Sequence, residues 1–123
     1  MLATDHYEAA LDFTVYNARA NLDLEPEVSV LDWREPSAQG IGTFDLVLAA
    51  DVLYERKNAA ALADLVPKLL APGGEAIFAD PRRDEAPVFL ERMVSRGFED
   101  VTKETTVEQN TRKVRVLLHQ MRR

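Results

Sequence analysis

The 123-residue sequence contains no cysteine. That excludes a disulfide framework, a thiolate metal site, a cysteine nucleophile and iron–sulfur ligation, and it suits a cytoplasmic location. Histidine occurs only as His6 and His119, at opposite ends of the chain and outside any ligand-spaced cluster, so no metal site is expected. No apolar run approaches the ~20 residues that span a bilayer, and Met1-Leu2-Ala3-Thr4-Asp5-His6 lacks the basic and apolar regions of a signal peptide. No membrane role is expected. Glycine (5) and proline (6) are too few for collagen or a low-complexity linker, whereas 46% apolar residues suffice for a core. The length fits one domain over residues 1–123, and no internal repeat interrupts it.

A net charge of −6 repels phosphate backbones at long range, which argues against nucleic acid as a partner. The exception is the tail. Arg112, Lys113, Arg115, Arg122 and Arg123 stand there without an acid, in the pattern of a solvated strand edge guarded by positive charge or of a contact surface for an acidic partner.

Apolar periodicity supplies the elements. Asp5 and Glu8 have capping-box spacing ahead of Tyr7, Leu11, Val15, Ala18 and Leu22, which predicts a helix from 7 to about 21. Val28-Ser29-Val30-Leu31 reads as a buried strand stopping at Asp32-Trp33, and Pro36, Ser37, Gly40 and Gly42 mark a loop. Phe44 to Ala50 is nearly continuously apolar, as strands covered on both faces are. Leu62, Leu65, Val66, Leu69 and Leu70 predict a helix with Asn58 as its cap, a kink at Pro67 and a stop at Pro72-Gly73-Gly74. A strand over 75–80 follows, then a helix opened by Pro87 and ended by Gly97. Segments 98–107 and 112–119 read as a hairpin around Gln109-Asn110. Strand–helix alternation closed by a hairpin predicts an α/β fold with a mostly parallel sheet and an antiparallel C-terminal edge.

Ligands of open parallel sheets bind beyond the carboxyl ends of the strands, and here Asp5, Asp32, Asp51 and Asp80 each end an apolar run. Singly, each is readable as a cap or a turn former; together they line one rim. Their carboxylates suit ribose hydroxyls, an adenine amino group or a cationic substrate. Trp33 offers a flat face for stacking or fills a core, and Asp51 and Tyr54 lie three apart, able to face one pocket or to cap the following helix.

In this order, Ala3-Thr4-Asp5, Leu31-Asp32-Trp33, Phe44 through Asp51-Val52-Leu53-Tyr54, and Leu70-Ala71-Pro72-Gly73-Gly74 resemble the seven-β-strand class I S-adenosylmethionine-dependent methyltransferases. Within that family the chain is most similar to the protein lysine methyltransferase branch and its nicotinamide-methylase-like relatives. The resemblance covers nearly the whole chain and implies a Rossmann-like methyltransferase sheet, with S-adenosylmethionine as cofactor and a protein or small-molecule amine as acceptor. It implies that Asp5 binds the cofactor ribose with His6 beside it, that Asp32 and Trp33 line the adenine pocket, and that Ala50 borders the cofactor. Asp51 and Tyr54 would form the catalytic Asp-x-x-Tyr element at the substrate entrance. The family's glycine-rich loop is not among these residues, since Gly40-Ile41-Gly42 precedes a strand and does not follow one. The resemblance thus implies that the first strand is missing and that the chain is the C-terminal two-thirds of the fold, prone to self-association or to pairing with the missing N-terminal segment. Two rival readings remain at this point. One is a non-catalytic interaction module completed by a partner; the other is a dinucleotide oxidoreductase, which also needs a glycine-rich first turn.

Overall fold

A computed structural model describes residues 1–35 and 40–123. The expected loop residues Pro36 and Ser37 lie outside the described residues. The elements run β1 (Leu2–Asp5), α1 (Glu8–Leu22), β2 (Glu27–Val30), β3 (Phe44–Ala50), α2 (Arg56–Leu69), β4 (Leu70–Asp80), α3 (Ala86–Ser95), β5 (Glu99–Gln109) and β6 (Arg112–Arg122). They fall into two compact units, Met1–Ala38 and Gln39–Arg123.

In the first unit β1 and β2 pair in parallel, from Leu2 opposite Glu27 to Asp5 opposite Val30. Helix α1 connects them and buries Leu11 and Ala18. The capping box expected from Asp5 and Glu8 does not form. Tyr7 is the N-cap and has no side-chain cap, while Asp5 Oδ1 accepts the Tyr7 N–H at 2.9 Å, so the carboxylate makes an Asx turn two residues ahead of the cap position. At the other end Asp23 adopts φ 49°, a left-handed termination that a short polar side chain tolerates. The expected burial of β2 is also corrected. Val28 and Val30 are exposed on one face of the two-stranded sheet, and Leu31, just past the strand, takes the buried position instead.

The second unit has strand order β3-β4-β6-β5. β3 and β4 are parallel, and β4–β6 and β6–β5 are antiparallel. Between Phe44 opposite Leu70 and Leu46 opposite Glu75 the β3–β4 register shifts, so Pro72-Gly73-Gly74 forms an irregularity within β4 and not a loop before it. Gly74 is closely enclosed: a Cβ there would lie 3.0 Å from the Phe44 and Ala71 carbonyl oxygens, tight enough that a larger residue would have to push the backbone aside. Helix α2 begins after Glu55, leaving Asn58 inside the helix and not at its cap, and Pro67 sits in its last turn. Helix α3 follows the expectation closely. Pro87 opens it, and Gly97 at φ 86° ends it with Gly97 N–H bound to Val94 O (2.9 Å) and Phe98 N–H to Met93 O (3.2 Å), a Schellman pair.

Helices α2 and α3 pack on one face of this sheet, where Phe78 and Phe89 meet with ring centroids 4.5 Å apart amid buried Leu62, Val66, Met93 and Met121. Register places Val47 and Ala49 beside Ala76 and Phe78, on this covered face. Leu46 (47% exposed) and Leu48 (68%) point the other way, so β3 is not covered on both faces as its composition suggested. The physical reason is that both helices of the unit occupy the Phe78 side.

Asn110 and Thr111, at φ 48° and 65°, make the two-residue turn joining β5 to β6, as a type I′ hairpin requires. Part of the basic tail does flank a free strand edge, because among the described residues β6 pairs with β5 alone over 112–116 and meets β4 only from Leu117 onward. β6 lies between β4 and β5, and β5, with Lys103, Glu104 and Glu108, is the polar edge. Arg112, Lys113 and Arg115 belong to the distal half of the hairpin, which extends beyond β4, and Arg123 stacks on the Phe98 ring at 4.6 Å.

Candidate functional site

Carboxylates stand where β1, β3 and β4 end and just beyond β2, and each is held differently. In the first unit Leu31 N–H donates to Asp5 O at 2.8 Å, extending the β1–β2 pairing and leaving Asp32 and Trp33 immediately beyond it. Asp32 is gripped by its near neighbour Arg34. Oδ1 accepts the Arg34 backbone N–H (3.0 Å) and Nε (2.9 Å), and Oδ2 accepts Nη2 (2.7 Å). These bonds, with the Arg34 and His6 charges in support, hold the Asp32 carboxyl well below the usual carboxylate range. The His6 ring lies tilted against Tyr7, centroids 3.8 Å apart, with Nδ1 3.5 Å from Asp5 Oδ1. Asp5 Oδ2 has no hydrogen-bond partner among the described residues, and Trp33 is half-buried. Four of the expected cofactor residues, Asp5, His6, Asp32 and Trp33, thus share the carboxyl ends of one two-stranded sheet.

In the second unit Ala50 opposes Ala79 in the last β3–β4 pair, and Asp51 leaves the strand in a left-handed turn at φ 52°, with its N–H bound to Ala79 O at 2.9 Å. One residue further along β4, Asp80 is buried (1% exposed) and both its oxygens accept the Arg83 backbone N–H at 3.1 Å. Arg82 carries φ 67°, a conformation that costs a non-glycine residue roughly 1–2 kcal/mol, and strain of this kind concentrates at working sites. The turn sends the Arg83 guanidinium back across to Asp51, Nε to Oδ1 at 2.8 Å and Nη2 to Oδ2 at 2.9 Å. That fork lowers the Asp51 carboxyl against the opposing effect of burial, and raises Arg83 in turn. Tyr54 is exposed three residues on, and neither it nor Asp51 caps α2, whose N-cap is Glu55.

Arg34, Arg83 and the anchoring role of Asp80 escaped the sequence reading. The adjacent arginines Arg82-Arg83 just past a strand-ending acid were the available signal, since a rim of carboxylates needs compensating charge. His119, the other histidine, is buried (2% exposed) in β6, with Thr102 Oγ1 2.8 Å from Nδ1 and no partner for Nε2 among the described residues.

Residues 1–96 match the lysine methyltransferase family. The chain belongs to that family. It is 39% identical over 70 residues to the lovastatin diketide synthase LovF of Aspergillus terreus, covering 50% of this chain and 3% of that protein. The N-methyltransferase NodS of Bradyrhizobium japonicum WM9, solved with S-adenosyl-L-homocysteine, superposes with a TM-score of 0.74 at 18% identity, over 98% of this chain and 64% of its own. Magnesium protoporphyrin IX methyltransferase of Synechocystis PCC 6803, with bound SAM, does so at 0.66 and 16%, over 96% of this chain and 57% of its own. The fold of this lysine methyltransferase family member is therefore the Rossmann-like methyltransferase fold, and the chain spans less than two-thirds of those structures' length. No helix among the described residues is long and apolar enough to cross a membrane.

Proposed function

We propose that this chain carries the cofactor-facing and acceptor-facing residues of an S-adenosylmethionine-dependent methyltransferase acting on an amine, a protein lysine side chain in the first instance. The observation that supports it most is the gathering of Asp5, Asp32 and Trp33 at the carboxyl ends of β1 and β2, in a member of the lysine methyltransferase family. The residues fit the cofactor. The open Oδ2 of Asp5 can accept from a ribose hydroxyl, with His6 at its side, and the half-buried Trp33 ring can stack on adenine while Asp32, fixed by Arg34, borders it. Ala50, the small exposed residue before Asp51, leaves room at the rim. When bound, the cofactor supplies a methyl group activated on a sulfonium.

The chain's own residues then have to hold an uncharged amine in line and keep water away. Asp51 accepts an N–H of that amine and Tyr54 packs along its alkyl chain or accepts a second hydrogen bond. On this reading the chain forms the C-terminal two-thirds of one methyltransferase domain, and the free edge of β3, with Leu46 and Leu48 exposed, pairs with a second copy or with an upstream segment of the same fold. Calorimetric titration with S-adenosylmethionine tests it. The chain alone should bind weakly and scatter light as an oligomer, and adding a glycine-loop segment should restore stoichiometric binding. Tight binding by a monomer would refute the partial-domain reading, and absence of binding with the segment present would refute the cofactor reading.

A further inference from the structure

The carboxylate just past β3 is not a bare anion. Arg83 closes on both its oxygens, at 2.8 and 2.9 Å, across a separation of 32 residues. The grip is built from behind: buried Asp80 holds the Arg83 backbone N–H with both oxygens, and Asp51 N–H is tied to Ala79 O, next to Asp80 in the same strand. Arg82 is turned away to Glu104 (3.4 Å), so Arg83 is the guanidinium that meets Asp51. Opposite unit charges at this distance nearly cancel, and the pair presents hydrogen-bonding oxygens with little net charge.

That cancellation matters for an amine. A lone carboxylate beside an amine favours the ammonium form, which has no lone pair with which to attack a methyl group. A carboxylate already paired with a guanidinium loses most of this bias, yet each oxygen retains acceptor capacity for the N–H of a neutral amine. We propose that Arg83 is a specificity-determining residue that tunes and orients Asp51 to receive a neutral amine in preference to an ammonium ion. The proposal rests on the reading of Asp51 as the acceptor contact. Lysine at 83 would restore the charge but not the planar two-bond fork, so charge and orientation can be separated.

The test titrates the full chain with two probes at pH 7, n-butylammonium and the neutral methoxyamine, followed by NMR shifts of the Asp51 region. It uses the unmodified chain, Arg83→Met, Arg83→Lys and Asp51→Asn. Arg83→Met should bind n-butylammonium about two- to fivefold more tightly, the scale set by a half-exposed ion pair, and should bind methoxyamine more weakly because Asp51 loses its orienting fork. Arg83→Lys should return n-butylammonium to the original affinity while methoxyamine binding stays weakened. If Asp51→Asn weakens both probes but Arg83→Met leaves the cation's affinity unchanged, the role of Arg83 is overturned and that of Asp51 stands. If Asp51→Asn changes neither, the acceptor reading of Asp51 falls and this proposal with it. Should Arg83→Met fail to fold, Arg83→Lys decides, and unchanged methoxyamine binding in it overturns the proposal.

Discussion

Both units place an aspartate beyond a parallel strand pair and lock it with a two-pronged arginine, and they do so by opposite means. Asp32 and Arg34 are two residues apart in one turn, whereas Asp51 and Arg83 are 32 residues apart and meet only because β3 and β4 lie side by side. The cores differ in the same sense. The first unit buries Leu11, Ala18 and Leu31 and leaves Phe13 and Tyr16 exposed; the second encloses Phe78, Phe89, Met93 and Met121 completely. A local ion pair therefore says little about whether its surroundings are folded, while a long-range one reports on the fold that creates it.

Hydrogen exchange should widen this contrast most. Amides of α1 should exchange about a hundredfold or more faster than those of β4 and β6, because opening the first unit exposes so little apolar surface. Equal protection in the two units would break the comparison.

Asp80→Ala comes next. It strips the acceptors from the Arg83 N–H at a buried position and should cost about 1–3 kcal/mol in urea unfolding, loosening Asp51 as well. Arg34→Ala, by contrast, should move the urea midpoint much less. A large loss from Arg34→Ala would show that the first unit is stabilised through its turn.

Cofactor affinity sharpens the comparison from the functional side. With the glycine-loop segment present, Trp33→Ala should weaken S-adenosylmethionine binding by about 1–3 kcal/mol, the scale of an aromatic stacking platform. Unchanged affinity in a folded variant would make Trp33 a packing residue only.

The smallest effect is on pH dependence. Asp32 and Asp51 both have folded carboxyl pKa values below their ordinary ones, so each adds stability above about pH 4 that is lost as pH falls through the folded value. For Asp51 the unfolded chain has no such partner. Arg83→Met should therefore lower Tm at pH 7, and the gap should close on acidification. The Asp32–Arg34 contact can persist in the unfolded chain, so Arg34→Met should give a smaller gap despite the stronger depression in the folded state. Thermal melts from pH 7 to pH 2 check both.

Particular elements show how far local chemistry reaches. Pro87 and Gly97 marked both ends of α3, because a fixed φ and a free one act on their own residues alone. The hairpin turn is legible near Gln109-Asn110, and Asp5, Asp32 and Asp51 are legible as acids that follow apolar runs. Asp5 and Asn58 have the right residue type for caps, but the observed caps, Tyr7 and Glu55, lie two and three positions away.

Local pattern thus determined which segments are helix or strand, where the turns fall and which acids stand at strand ends, since propensity, period and turn chemistry are properties of near neighbours. Tertiary structure alone decided that β6 enters between β4 and β5, that one face of β3 stays exposed, that residue 74 lies close against the Phe44 carbonyl, and that Asp51 is held by Arg83. Each of these depends on which distant segments come within hydrogen-bonding or van der Waals reach, and that is set by the packing of the whole sheet and its helices together.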